Sequence, residues 1–484
     1  MTPSSPRRRR PFLRRRRRER GAALIMVTTA LVVLTVFLVE LQEETSVAFS
    51  SAVAARARLK AEYNARSGVN LGRLLIAAEP TLRNNIKASP LVLLLGGQRV
   101  PQIPLWNFAD QLLAPYNCPD QAAEFQNFTG VDLSTAEAIG LGDDGGCFEL
   151  VMVDENSKLN VNTAARGDVI SRLTVARQLM GLMQPPQYAD LFNGRDGDDQ
   201  ISTAQQICSA VIDWADYDED IEPCDLSDQA TNAGAEDNFY QSIGLPYLRK
   251  NAAFDSLEEL RLVRGMSDRF WSTFVDPDPR DPQKRVLTVW GESKLNINSA
   301  NAQTLYGLAC AYAVEGTPMC VDPTQAQQFL SFVTLAKGFT MGAPVFNKGS
   351  QFVAMMEGKG AKGELLTGQG FIPVKFQNKR ELKNRISTTS KIFSIYAAGV
   401  VPNGSRETRV GVHAVIDFRN ATEIDQQNPA AQAAAARGGA AAGQAGAATG
   451  AAAGANGGSA DPTADLMQQL TSNPGGKIIY YRVQ

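Results

Sequence analysis

The side chains in this sequence with the clearest chemistry are carboxylates. Asp213, Asp216, Asp218, Glu219, Asp220 and Glu222 crowd into one short stretch, with Glu236 and Asp237 shortly downstream. Hard oxygen ligands at short, irregular spacing suit Ca2+, which gathers several of them from flexible loops. The expected ligand set is Asp213, Asp216, Asp218, Asp220, Glu236 and Asp237, and Cys208 and Cys224 are placed to bracket the loop. Asp196, Asp198 and Asp199 offer a second, weaker cluster. The competing reading of both runs is a solvated acidic surface. Neither follows an EF-hand loop, whose turn Gly and terminal Glu are misplaced here. Acid–base catalysis by a carboxylate pair needs one acid in an apolar pocket at a fixed separation from the other. Crowded acids on a polar loop do not offer that.

Other chemistry lacks a signature. His413, the only histidine, sits in VGVHAVIDF (410–418), whose alternation reads as a strand, so it is expected to be a strand residue and not a base. There is no C-x-x-C, no G-x-S-x-G and no phosphate loop. The chain is therefore expected to be no enzyme and to take no small-molecule substrate. Cys118, Cys147, Cys208, Cys224, Cys310 and Cys320 are an even number in a chain read as exported, which favours structural disulfides. Neighbouring pairs (118–147, 208–224, 310–320) would each close a short loop, but spacing leaves the connectivity open.

The elements that must position these residues begin with RRRRRERGAALIMVTTALVVLTVFLVELQEE (14–44). Residues 1–21 hold ten Arg and one Glu, so against a whole-chain formal charge of −2 the remainder carries −11. A basic arm ahead of an apolar span keeps the arm cytoplasmic and sends the acidic body across the inner membrane into the periplasm. A secretory signal would follow its apolar core with a small-residue cleavage site. Here the small residue, Gly21, precedes the apolar run that ends at Val39. No proline interrupts Ala22 to Glu79, which predicts one helix on the order of 85 Å long at 1.5 Å per residue. Leu59, Tyr63, Ser67, Leu71 and Leu74 fall on one face, expected to carry the globular head.

Beyond it, KLNVNTA (158–164) and KLNINSA (294–300) are near copies, each after a β-like run (FELVMVDENS, 148–157; RVLTVWGES, 285–293). Asn162-Thr163 and Asn298-Ser299 read as helix N-caps, so the body is expected to hold two related helical modules. SLEELRLVRGMSDRFW (256–271) opens on a capping box at Ser256–Glu259 and turns at Gly265 into a second helix. Such hairpins occur in DNA-binding domains, but an acidic body opposes phosphate binding, so no nucleic acid is expected. KIFSIYAAGVV (391–401), TRVGVHAVIDF (408–418) and KIIYYRV (477–483) read as strands, the first two joined by a turn at Pro402-Asn403-Gly404. The Ala/Gly-rich stretch between them and the last strand, with a short helix near Asp465–Leu470, cannot bury a core and is expected to be disordered.

Together, the Gly-ended basic leader, the apolar helix directly after it, the paired KLN motifs and the order AVIDWADYDEDIEP (210–223), GAEDNFYQSIGLPY (234–247), SLEELRLVRG closely resemble the K component of type II secretion, the largest minor pseudopilin. The resemblance spans roughly residues 14–420. It implies that a prepilin peptidase cuts after Gly21 and that the new N-terminus, Ala22, is methylated. Typical relatives carry Glu at the fifth position after the cleavage Gly, where this chain has Met26. A carboxylate in hydrocarbon needs a partner, in that family the amine of the subunit above. A subunit without it suits the filament tip. The implied assembly helix runs from Ala22 through Met26 to Val39. The implied partners are the I and J minor pseudopilins, then H and the major pseudopilin, and the resemblance also favours calcium. A minor pilin priming a type IV pilus is the nearest alternative, and a signal-anchored periplasmic hydrolase using the acidic cluster is the rival of another class.

The expected fold is α+β, a pilin-like long helix packed on an antiparallel sheet with a large all-α insert of two related modules. Its divisions are the leader (1–21), the helix (22–80), the first part of the head (81–157), the modules (158–290 and 291–385), the C-terminal strands (386–420 and 477–484) and the Ala/Gly-rich loop (421–476).

Overall fold

The computed structural model describes residues 16–87, 100–113, 146–196, 199–224, 237–340, 342–403, 406–421 and 475–484. Cys118, Asp198, Glu236, Gly404, the Asp465–Leu470 stretch and most of the Ala/Gly-rich loop lie outside the described residues. Helix α1 (Arg16–Lys87) is one continuous rod that runs through Pro80. Its N-terminal portion is long and apolar enough to cross a bilayer, and none of that window is buried in the molecule. Leu24, Met26, Leu31, Phe37 and Val39 all point away from protein. A helix apolar on all sides and uncovered reads as a membrane span.

Eight strands are described: β1 (Cys147–Asp154), β2 (Leu159–Asn160), β3 (Leu287–Thr288), β4 (Leu295–Asn296), β5 (Ile386–Ser387), β6 (Ile392–Asn403), β7 (Arg406–Asp417) and β8 (Lys477–Val483). The head is the antiparallel sheet β1-β6-β7-β8. Phe148, Leu150, Met152, Phe393, Ile395, Val412, Ala414 and Ile416 alternate onto its inner face and meet α1.

The face that α1 presents differs from the one its large residues suggested. Leu59, Tyr63 and Leu74 are 55%, 57% and 56% exposed, while Ala57, Ala61, Ala65, Val69 and Ile76 are buried. Close approach is the reason. A Cβ on Gly399 would lie 2.7 Å from the Ala65 nitrogen and on top of the Ala61 carbonyl oxygen, so helix and strand backbones touch there. Only small residues fit at that distance, and the larger ones are turned to the flanks.

The body is the insert between β1 and β6. Helix α2 (Val169–Met183) crosses α4 (Ala302–Tyr312) with Gly181 against the Gly307 carbonyl, and α3 (Ala204–Ala215) and α5 (Pro323–Phe339) complete the principal layer. The two KLN motifs have matching roles. Strand β2 pairs in parallel with β3, and β4 in parallel with β5. In the first, Asn160 accepts from the Asn162 N–H (3.0 Å), and in the second Asn296 accepts from the Asn298 N–H (3.0 Å).

Asn162 and Asn298 therefore do not cap helices; each staples its motif to a distant strand or loop. Asn162 donates to the Phe254 and Val289 carbonyls and accepts from the Phe254 N–H. Asn298 donates to the Phe346 carbonyl and accepts from the Val345 and Phe346 N–H groups. The helix caps are Asp168 and Asn301. Two further local expectations change. The 285–293 run contributes only the short β3, and Leu257–Leu262 is a 3-10 helix whose Ser256 side chain caps nothing. Glu259 instead accepts from the Asp255 N–H (3.0 Å) and pairs with Lys250 (3.0 Å).

Head and body meet at a buried polar joint. Asp154, fully buried, accepts from the Ser390 hydroxyl and the Asn156 N–H, and Asn296 donates to the same Ser390 oxygen (2.6 Å). Burial pushes the Asp154 carboxyl up to about 6. Beside it Lys158 pairs with Glu155 at 3.4 Å, both almost without exposure.

Candidate functional site

The acidic stretch lies where α3 ends. A capping box of Thr203 and Gln206 starts that helix, and its apolar face buries Ile207, Cys208, Val211, Ile212 and Trp214. Asp213 and Asp216 are carried inwards with that face, at 7% and 0% exposure, which is unusual for carboxylates. The chain then turns, and the disulfide Cys208–Cys224 ties the turn back to α3. Cys310–Cys320 is the other described pair, and Cys147 is also disulfide-bonded.

Arg172, on α2, is the residue that organises these acids. Its guanidinium reaches Asp216 at 3.4 Å, Asp218 at hydrogen-bonding distance and Glu222 at 3.6 Å. Asp213 accepts from the Glu222 N–H (2.8 Å), and Asp218 accepts from the Asp220 N–H (3.1 Å). Asp237 pairs with Arg249 (2.7 Å), which also donates to the Asp218 carbonyl. Asp216 Oδ1 is buried and, among the described residues, accepts no hydrogen bond. Burial, with the Asp218 charge adding to it, pushes the Asp216 carboxyl up to about 6, and burial also raises Glu222.

Of the six expected ligands, the structure brings Asp216 and Asp218 onto one cation and sets Asp213 and Asp220 beside them. Asp237 stands on the neighbouring Arg249, and Glu236 lies outside the described residues. Among the described residues no three acidic or metal-ligating side chains converge as a finished metal shell. The donor chemistry still fits a hard cation, because Asp216 Oδ1 is an orphaned buried oxygen of the type such an ion takes. Arg172 was not foreseen. Its sequence signal is no more than one of two arginines, Arg172 and Arg177, on an otherwise apolar helix.

Asp196 lies elsewhere, in a small turn where it accepts from the Gln200 N–H (2.9 Å) and the Ser202 hydroxyl (3.1 Å). His413 is on β7, stacked on Tyr396 with ring centroids 4.1 Å apart. Among the described residues its Nε2 is buried without a partner, and burial lowers its pKa to about 4.

These features define a class: a helix-anchored α+β head carrying a larger, disulfide-tied helical body. Residues 147–274, which include the whole acidic region, match the family described as type II secretion system (T2SS), protein K. A type II secretion system protein K of Aeromonas hydrophila is 36% identical over 109 residues, 22% of this chain. The match spans only 28% of that relative's length. The crystal structure of the GspK-GspI-GspJ complex from the enterotoxigenic Escherichia coli type 2 secretion system is similar at a TM-score of 0.36 and 18% identity. That similarity covers 65% of this chain and 89% of that one. The likeness to the type II secretion system protein K family thus rests on residues 147–274 of the chain.

Proposed function

We propose that the protein is a structural minor pseudopilin at the tip of a type II secretion pseudopilus, where it starts pseudopilus assembly and supports export of folded proteins across the outer membrane. The observation that carries this reading is the coexistence, in one chain, of the protein K segment 147–274 and an uncovered apolar helix that follows Gly21 directly. Cleavage after Gly21 by a prepilin peptidase would leave methylated Ala22 at the start of the helix, with Ala22–Val39 packing against neighbouring pseudopilin helices. Met26 needs no charge partner from a subunit above, which supports the terminal position. The I and J minor pseudopilins, H and the major pseudopilin are the proposed neighbours. The head lies in the periplasm and does no catalysis.

Mass spectrometry of the N-terminal peptide, on protein purified from its native membrane, tests this reading. A start at N-methylated Ala22 is expected; an intact arginine arm on functional protein overturns the proposal.

Calcium is the proposed ligand of the acidic region, with Asp213, Asp216, Asp218, Asp220, Glu236 and Asp237 supplying oxygens. Bound there, the ion would add countercharge to a carboxylate set that Arg172 and Arg249 neutralise only in part, and would fix the turn after α3. Adding Ca2+ to chelator-treated full-length protein is expected to raise its melting temperature, and Asp216→Asn to blunt that rise. An unchanged melting curve would remove calcium from the account.

A further inference from the structure

A cleft of about 610 Å3 opens beside α3, between that helix, the short helix Asn238–Ser242 and the turn at Arg264. That volume is in the range of ligand pockets. Its walls include Gln206, Ser209, Asn238, Ser242, Phe239 and Ile243, a mixture of neutral hydrogen-bonding groups and apolar surface. Arg264 also lines it, and its situation sets it apart from Arg172 and Arg249. Those two are held by carboxylates. Arg264 lies over the Phe239 ring at 4.3 Å, and among the described residues its side chain makes no ion pair and no hydrogen bond. Its Nε–H is buried and unpartnered. Burial works against its charge and lowers its pKa, while Asp196 and Tyr240 favour the charged form.

A buried guanidinium N–H normally finds a partner, because a donor kept from water without one is costly. An aromatic ring beneath it satisfies the face of the cation and leaves its two terminal Nη groups for a planar acceptor. The acceptor that matches that fork is a carboxylate. A dianion is disfavoured, because Asp213 lines the same cleft and Arg249, which also lines it, is already paired with Asp237. The neutral amides and hydroxyls around it suit the backbone of an extended chain.

We infer that this cleft is a binding site for a carboxylate presented by a peptide segment, with Arg264 as its anchor. The inference rests on the local geometry and does not depend on the pseudopilin reading. A mixed polar and apolar wall selects for main chain plus carboxylate over a bare inorganic anion.

The test uses full-length protein in detergent micelles with 15N-labelled arginine, following the Nε signals. The probes are an N-acetylated tripeptide with a free C-terminal carboxylate, the same tripeptide as its amide, an amidated tripeptide carrying one internal Asp, and inorganic phosphate. Saturable movement of the Arg264 signal by a carboxylate-bearing tripeptide, with the plain amide at least tenfold weaker, is expected. The free-carboxylate and internal-Asp tripeptides separate a chain terminus from an acidic side chain as the source.

Arg264→Gln should abolish binding, and Ser242→Glu, on an exposed position that leaves packing intact, should weaken it at least tenfold. Three results would each overturn the site: the amide binding as well as the acid, binding that survives in both variants, or phosphate competing as well as the tripeptide. No movement of the Arg264 signal with any probe would overturn it too.

Discussion

Gly399→Ala is the sharpest perturbation of the head. The added methyl would sit 2.7 Å from the Ala65 nitrogen and against the Ala61 carbonyl oxygen. Both are backbone atoms of one helix, so no side chain can rotate away. Helix α1 must lift by about 1 Å, which forfeits a good part of the dispersion contact along Ala57, Ala61, Ala65 and Val69. Overpacking of that rigid kind lies at the upper end of the usual range, about 3 kcal/mol. For a domain of this size that is a fall of roughly 6–12 °C in melting temperature.

Gly68→Ala is the internal control. Its methyl meets the buried Phe148 ring at 2.9 Å and the Ala397 Cβ at 3.3 Å, side-chain atoms and not backbone, so the cost should be smaller, about 1–2 kcal/mol. Near-UV circular dichroism melts of full-length protein in detergent, with hydrogen exchange along the second half of α1 and along β6, read both effects. If Gly399→Ala melts within a degree of wild type, or Gly68→Ala proves the more damaging, then backbone contact is not what sets the helix against the sheet.

Three further outcomes follow from buried polar groups. The Asp154 carboxyl has its pKa raised to about 6 in the folded protein, so its protonated form contributes stability that is present at low pH and lost as pH rises through about 4 to 6. Relative to Asp154→Asn, the wild type should lose up to about 3 kcal/mol between pH 4 and pH 7, measured by denaturant melts at each pH. His413 has its pKa lowered to about 4, so stability present above pH 6.5 is lost as pH falls towards 4, and His413→Phe should flatten that limb by roughly 2–3 kcal/mol. Asn162→Ala strands the Phe254 and Val289 backbone groups and should destabilise the first module by about 3 kcal/mol, visible as faster exchange at Phe254.

The parts of this fold that announce themselves in sequence are those governed by period and composition. The unbroken run from Ala22, the alternation of VGVHAVIDF and of KIIYYRV, and the near-identity of the KLN motifs each correspond to a described element. What sequence did not convey is which neighbour a side chain meets. Leu59, Tyr63 and Leu74 form a good apolar stripe, but the sheet approaches too closely for them, a fact that resides in Gly399 more than three hundred residues away. Asn162 and Asn298 look like caps because Asn caps helices, yet their partners are distant carbonyls. The acidic stretch was visible as charge. Its countercharges, Arg172 and Arg249, were not, since nothing local couples them to the acids.

The chain leaves the sheet at Asp154 and re-enters it at Phe393, directly opposite. Within the insert, Leu159 lies beside Leu287, and Leu295 beside Ile386. Seen from the sheet, the whole body is therefore a single closed loop between two adjacent ladder positions, and each module is again a loop whose ends meet. Length added or removed inside a module never reaches the register of the ladder. Such an architecture lets the bulk of the head change, by insertion or by swapping one module, while the surface that α1 grips stays the same.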